Sequence, residues 1–252
     1  ASKKTAKLVV YNRPMRVLLD TTQLNILSDG RGIGIYTKLL QQHLQLVEGV
    51  DLSLHDDGQP YDLVHYPYFD LFFHTLPIRK HSKTIVTIHD VIPLVFPKAY
   101  KAGIKGTIRF FQQQVSLFSV AAVITDSERS KQDIVGHLGV PEVKVNTIYL
   151  AGNPEVRKQS PDIRERVRLQ RNLPGKFALY VGDINYNKNL PRLVEACSML
   201  PSDVHLVLVG RTVDNIEILE GQALHTAIEN FGMKQRIHLL TDVEKADELS
   251  AI

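Results

Sequence analysis

The sequence predicts an α/β chain made of two Rossmann-like halves, each a mostly parallel sheet flanked by helices, with the second half cut short. Three observations carry this prediction. Short apolar runs alternate with helix-period segments, the order that gives parallel strands joined by crossover helices. A polar stretch at 151–172, holding Pro154, Pro161 and many charges, interrupts the alternation, which then restarts. Finally, 252 residues suffice for one large or two moderate cores, and 44% hydrophobic with 23% charged residues is a composition that folds rather than stays disordered.

Residues 1–15 include Lys3, Lys4, Lys7 and Arg13 but no acid, and read as a leader or disordered arm. RVLLD at 16–20 reads as a strand, and Ile35, Leu39, Leu40, His43, Leu44 and Val47 recur as one helix face. Apolar runs at 62–66, 84–88, 120–125 and 143–150 read as further strands, with helical patterns at 103–118 and 128–138 between them. Residues 16–150 thus form an N-terminal domain and 151–172 a linker. From 173 to 252, strands at 177–182, 204–209 and 236–240 alternate with helices near 190–199 and 214–231. Pro191 suits a first helical position there, and Leu190, Leu193, Val194 and Cys197 repeat at helical spacing. Cys197 is the single cysteine and lies on that stripe, so packing is its expected role.

Composition excludes several function classes. A net charge of +3 is too weak a balance to argue for nucleic acid. No apolar run approaches the roughly 18–20 residues needed to cross a bilayer, and the start lacks the pattern of a secretion signal, so a cytoplasmic protein is expected. No His and Cys cluster has metal-ligand spacing.

Six places along the chain carry candidate chemistry or contacts. Gly30, Gly32 and Gly34 precede a helix whose amides would meet a phosphate, or else form only a flexible loop. Their G-x-G-x-G spacing is not the dinucleotide G-x-G-x-x-G. His89 and Asp90 end the strand KTIVTI at the carboxyl edge, where open α/β sheets place ligands. Asp126, Ser127 and Glu128 read either as a divalent-metal clamp or, preferably, as a helix cap. At 179–189, LYVGDINYNKN reads as a buried strand, a turn at Gly182 and a helix start whose free N–H groups, beside Lys188, would attract a diphosphate. Arg211 follows the next strand and would add a second cation, or simply lie on the surface. Lys98, Lys101, Lys105 and Arg109 recur every three or four positions beside Tyr100, Phe110 and Phe111, with no acid between Asp90 and Asp126. This basic face would either lie on anionic lipid or be solvated.

Read together, GRGIGIYTKLL at 30–40, HDVIPL at 89–94, ITDSERSKQDI at 124–134 and LYVGDINYNKN resemble, in order, four loops of retaining GT-B glycosyltransferases of the family-4 type, or group 1 glycosyltransferases. The resemblance spans about residues 16–252. It implies a GT-B fold, two Rossmann-like domains facing a cleft, with the acceptor side N-terminal and the nucleotide-sugar side C-terminal. It implies retaining transfer from a nucleotide-sugar to a hydroxyl of a polysaccharide or lipid-linked acceptor, without a required cofactor or metal. Lys188 would contact the donor diphosphate, Gly182 would allow its close approach, and the departing phosphate would act as base. His89 would contact the sugar, with Asp90 orienting it or fixing the loop, and Ser127 and Ser130 would bond donor or acceptor oxygens. HDVIPL is reminiscent of bacterial mannosyltransferases of surface-polysaccharide synthesis, which favours GDP-mannose over a UDP-sugar.

Two departures stand out. Where such enzymes place an arginine near the lysine, this chain has Asp183 and Asn187. No two glutamates stand eight positions apart, the pair expected to hold sugar and ribose, so the second domain is expected to be truncated and turnover poor. The alternatives are a non-catalytic nucleotide-sugar-binding module and another Rossmann enzyme such as an NAD-dependent oxidoreductase, which the glycine spacing disfavours.

Overall fold

The computed structural model describes residues 13–22, 32–154, 156–243 and 246–252. The chain divides into two units, Ala1–Ala151 and Gly152–Ile252. Most of the expected leader and Gly30 lie outside the described residues.

The first unit runs β1 (Met15–Leu19), α1 (Gly32–Leu44), β2 (Val50–Ser53), β3 (Leu63–Tyr66), β4 (Thr84–Thr87), α2 (Ile92–Val95), α3 (Gly103–Phe118), β5 (Ala122–Thr125), α4 (Glu128–Leu138) and β6 (Val145–Thr147). All six strands are parallel, in the order β2-β1-β3-β4-β5-β6. The order reverses beside β1, so crevices for ligands fall at the carboxyl ends of the strands. Val86, Ile88, Val123 and Ile134, all fully buried, form the centre of the core. The helix pattern at 128–138 is realised with both ends fixed: Ser127 caps the start and Gly139, at φ +69°, ends it.

Three sequence expectations need correction in this unit. Strand β2 was not foreseen, because VDLS is a half-exposed four-residue edge strand with too few apolar positions to show a period. The inward face of α1 is Tyr36, Thr37 and Leu40, while Ile35, His43 and Val47 are exposed. The Tyr36 hydroxyl favours that rotation by bonding Thr87 on β4, while the buried Thr37 hydroxyl is satisfied within the helix by the Ile33 carbonyl. Gly32 and Gly34 lie inside the first turn of α1 rather than in a loop before it.

The second unit runs α5 (Pro161–Gln170), β7 (Phe177–Val181), α6 (Leu190–Ser198), β8 (His205–Val209), α7 (Leu219–Asn230), β9 (Ile237–Leu240) and α8 (Ala246–Leu249). Its sheet is parallel, in the order β7-β8-β9. Helix α5 occupies the stretch expected as linker. Its charge hides it from a hydrophobic pattern, since Val167 is its only buried side chain. Pro161 suits its start, and Arg171 at its end pairs with Asp242 and Glu248. Helix α7 begins later than expected, at Leu219, because turn hydrogen bonds from the Val213, Asn215 and Glu217 N–H groups occupy the preceding residues. Gly221 is required where the helix abuts that turn, since a Cβ there would lie 1.7 Å from the Asn215 carbonyl oxygen. Cys197 is buried in the core, and burial pushes its thiol pKa up, as packing rather than chemistry requires.

Candidate active site

Strands β4 and β5 are neighbours with Thr87 beside Ile124, a register that carries the next residues, His89 and Asp126, to one level at the carboxyl edge. There His89 Nδ1 lies 2.7 Å from Asp126 Oδ2, with both side chains largely shielded at 16% and 21% exposure. The imidazole therefore donates from Nδ1 to the carboxylate. Tyr36 comes from α1 and stands edge-on to the His89 ring, with centroids 4.8 Å apart. Its hydroxyl is 3.0 Å from Thr87 Oγ1, and the same oxygen is 2.8 Å from His65 Nε2 on β3. Burial, with His89 nearby, lowers the His65 pKa to about 4, so this second ring stays neutral near neutral pH. Burial also raises the Tyr36 pKa, which keeps its hydroxyl protonated.

Among the described residues, four buried side-chain polar atoms have no hydrogen-bond partner: His89 Nε2, Asp126 Oδ1, Thr125 Oγ1 and Thr147 Oγ1. All four lie at the carboxyl ends of β4, β5 and β6. Buried polar atoms are normally satisfied, so such a concentration marks a place suited to a polar ligand.

The remaining candidates divide. Asp90 does not hold His89: its Oδ1 accepts from the Ile92 N–H at 3.0 Å and closes the following turn, and the partner expected of it is Asp126. Ser127 Oγ accepts from the Ser130 N–H and donates to Ser130 Oγ at 3.0 Å, so its hydroxyl is committed to the cap read from the sequence. Ser130 retains its own proton. Asp126 adjoins this cap, but no group of three or more His, Cys, Asp or Glu side chains is arranged to hold a metal among the described residues.

In the second unit, Gly182 directly follows β7 and Arg211 comes shortly after β8, its neighbour in the sheet, so both lie at one carboxyl edge. Lys188 is exposed at the end of a short 3₁₀ turn, Tyr186–Lys188, that leads into α6. Gly182 is needed for conformation, at φ +147°, and a Cβ on Gly210 would lie 2.1 Å from the Gly182 carbonyl oxygen. The helix end offers fewer donors than expected. Helix α6 starts at Leu190, Pro191 has no N–H, and the Arg192 and Leu193 N–H groups already bond the Asn189 carbonyl. Lys98 and Lys101 precede α3, and Lys105 and Arg109 lie on it, all exposed. Among the described residues no helix is long and apolar enough to cross a membrane.

Sequence reasoning missed Asp126 as the histidine's partner, and with it Tyr36, Thr87 and His65. One signal was present: TIVTI and AAVIT are similar apolar runs, and as adjacent strands they end level at His89 and Asp126.

Comparisons with known proteins agree in kind. The model of Glycosyltransferase Family 4 matches residues 30–155. The serotype-specific mannosyltransferase WbdA of Escherichia coli is 22% identical over 173 residues, covering 68% of this chain but only 21% of that protein. O-antigen chain mannosyltransferase B of Escherichia coli is 26% identical over 174 residues, covering 66% of this chain and 44% of that protein. The chain thus spans between about a fifth and under half the length of these relatives. Among solved structures, Anabaena HepE in complex with UDP and glucose superposes with a TM-score of 0.58 at 16% identity, covering 90% of this chain and 69% of that one. The fold is the GT-B type.

Proposed function

Because the chain belongs to glycosyltransferase family 4, we propose that it takes part in transfer of a hexose from a nucleotide-sugar to a hydroxyl of a polysaccharide or lipid-linked acceptor, with retention at the anomeric carbon. The observation that carries this reading is the concentration of unpartnered polar atoms around the His89–Asp126 pair. Sugar transfer has a use for such a group: His89 Nε2 meets a sugar hydroxyl, and the fixed imidazole keeps the anomeric carbon oriented. Asp126 is a positioning residue, since it acts through the ring. Asp90 fixes the loop after the histidine.

The chemistry is compact. The acceptor oxygen bonds to the anomeric carbon as the bond to the diphosphate breaks, the bonding pair leaves with the diphosphate, and the acceptor proton passes to a departing phosphate oxygen. Lys188 and Arg211 supply positive charge where that diphosphate accumulates negative charge, and Gly182 lets it approach the backbone. Gly32 and Gly34, in the first turn of α1, offer amides to the donor, and Ser130 offers a hydroxyl. GDP-mannose is the favoured donor, supported by the two mannosyltransferase relatives; UDP-glucose is the alternative, since the HepE structure holds UDP and glucose. The chain works in the cytoplasm at a membrane face, where a lipid-linked acceptor would lie.

A second reading, binding of a nucleotide-sugar without turnover, is favoured by Asp183 and Asn187 in place of arginine and by the sparse donors at α6. Radiolabelled GDP-mannose and UDP-glucose separate the two. Release of sugar or its transfer to a mannan oligosaccharide, abolished by His89→Ala, supports catalysis; saturable nucleotide binding with no turnover supports the binding module. Absence of both would end the proposal.

A further inference from the structure

Helix α3 buries one face in the fold and leaves an apolar one exposed. Gly106, Gln113, Ser116 and Leu117 are buried, and Phe110 packs against the core. On the opposite side Ile104, Ile108, Phe111, Val115 and Phe118 are exposed, Ile104 at 84% and Phe118 at 76%. At 3.6 residues per turn these five fall within an arc of about 80°, so they form one continuous stripe over the helix length. Scattered apolar residues need no explanation, but a contiguous exposed stripe marks a surface that is covered in use.

What lies beside the stripe identifies the cover. Lys105 and Arg109 lie along one flank, Lys98 and Lys101 stand just before the helix, and no aspartate or glutamate occurs between Asp90 and Asp126. Arg109 also lies over the exposed Phe73 ring, its guanidinium carbon 5.6 Å from the centroid, which extends the apolar surface beside the cations. A helix with an apolar stripe bordered by cations and free of acids matches an anionic lipid surface, where the stripe enters the acyl boundary and the lysines stay at the headgroups. We infer that α3 is a membrane-docking helix that inserts Ile104, Ile108, Phe111, Val115 and Phe118 into anionic bilayers. This deepens the placement of the acceptor reaction at a membrane face and rests on that reading only for its purpose, because docking is measurable without any sugar transfer.

The chain has no tryptophan, so Phe111→Trp gives a single reporter on the stripe. Vesicles of phosphatidylglycerol and phosphatidylcholine, against phosphatidylcholine alone, test the surface. Docking is supported if the emission shifts to the blue and is quenched by brominated acyl chains only with anionic vesicles. In that background Lys101→Gln with Lys105→Gln should weaken partition about 25-fold, at roughly fivefold per cation. In a chain without the reporter, Phe111→Ser with Phe118→Ser should abolish co-sedimentation with anionic vesicles while leaving the thermal midpoint unchanged. Docking is overturned if the reporter stays in water, if the lysine changes leave partition intact, or if sedimentation velocity instead shows a dimer that the serine changes dissociate, in which case a second copy covers the stripe. Nucleoside diphosphate binding, measured separately, is unaffected by any of these outcomes.

Discussion

Replacing Asp126 with asparagine tests whether the carboxylate sets the state of His89. The amide is nearly isosteric and Ser127 still caps α4, so the change falls on one bond, the 2.7 Å contact from His89 Nδ1. Both partners are mostly shielded from water, and a hydrogen bond to a charged group is worth about 1.5–3 kcal/mol. If that energy keeps Nε2 directed at the sugar, its loss lowers kcat by about ten- to a hundredfold, while KM for the donor changes little because the diphosphate is held elsewhere. His89→Ala should cost at least as much, and the double variant no more than His89→Ala alone, since Asp126 acts through the ring. Transfer rates measure this directly, and long-range ¹H–¹⁵N correlation of the imidazole provides a readout independent of turnover. The wild-type ring should carry its proton on Nδ1, and Asp126→Asn should shift the two nitrogen signals. A proton on Nε2 alone in the wild type, or unchanged signals and rate in the variant, would refute the positioning role.

Three further outcomes concern the scaffold. Gly210→Ala should lower the stability of the second unit by about 2 kcal/mol or more, because the new Cβ meets the Gly182 backbone at 2.1 Å and neither strand end can retreat freely; denaturant titration checks it. Gln113→Leu should cost about 2–4 kcal/mol in the same assay. The fully buried amide donates to Thr75 Oγ1 and the Asp70 carbonyl, and a leucine leaves both without it. His65 makes the first unit acid-sensitive: its folded pKa of about 4 lies below the ordinary 6.5, so the unfolded chain takes up the proton first. The stability it contributes is full above about pH 6.5 and is lost as pH falls to 4, by about 3 kcal/mol in all, and His65→Gln should flatten that part of the urea-midpoint profile.

The elements that were legible are those whose period repeats. The runs ending at Thr87, Thr125 and Val209 are apolar because their strands lie inside covered parallel sheets, and the helix at 128–138 announces itself through Ser127 and Gly139. The run ending at Val181 is equally apolar, but the expectation of a buried strand needs correction there, since β7 is an edge strand with Leu179 and Val181 exposed. Elements held by few apolar contacts were not: β2 is a short edge strand, and α5 buries Val167 alone while charged residues dominate its sequence. At the site, His89 is visible as a histidine at a strand end and Asp90 is expected to orient it or to fix the loop, but the residue that bonds the ring, Asp126, is not foreseen. A strand's chemistry at its carboxyl edge depends on which strand lies beside it, and only the pairing of β4 with β5 brings Asp126 37 positions along the chain to the ring. The amide-rich corner expected at α6 shows the converse failure, where proline and a tight first turn consume donors that a simple helix start would leave free.

Calorimetric titration of the chain with GDP and with UDP bears most directly on donor recognition. Glycosyl transfer requires saturable one-to-one binding of at least one of them, weakened about tenfold or more by Lys188→Ala with the unfolding midpoint unchanged. No saturable heat with either nucleotide, or an affinity indifferent to that lysine, would contradict the placement of a diphosphate at this edge of the second sheet.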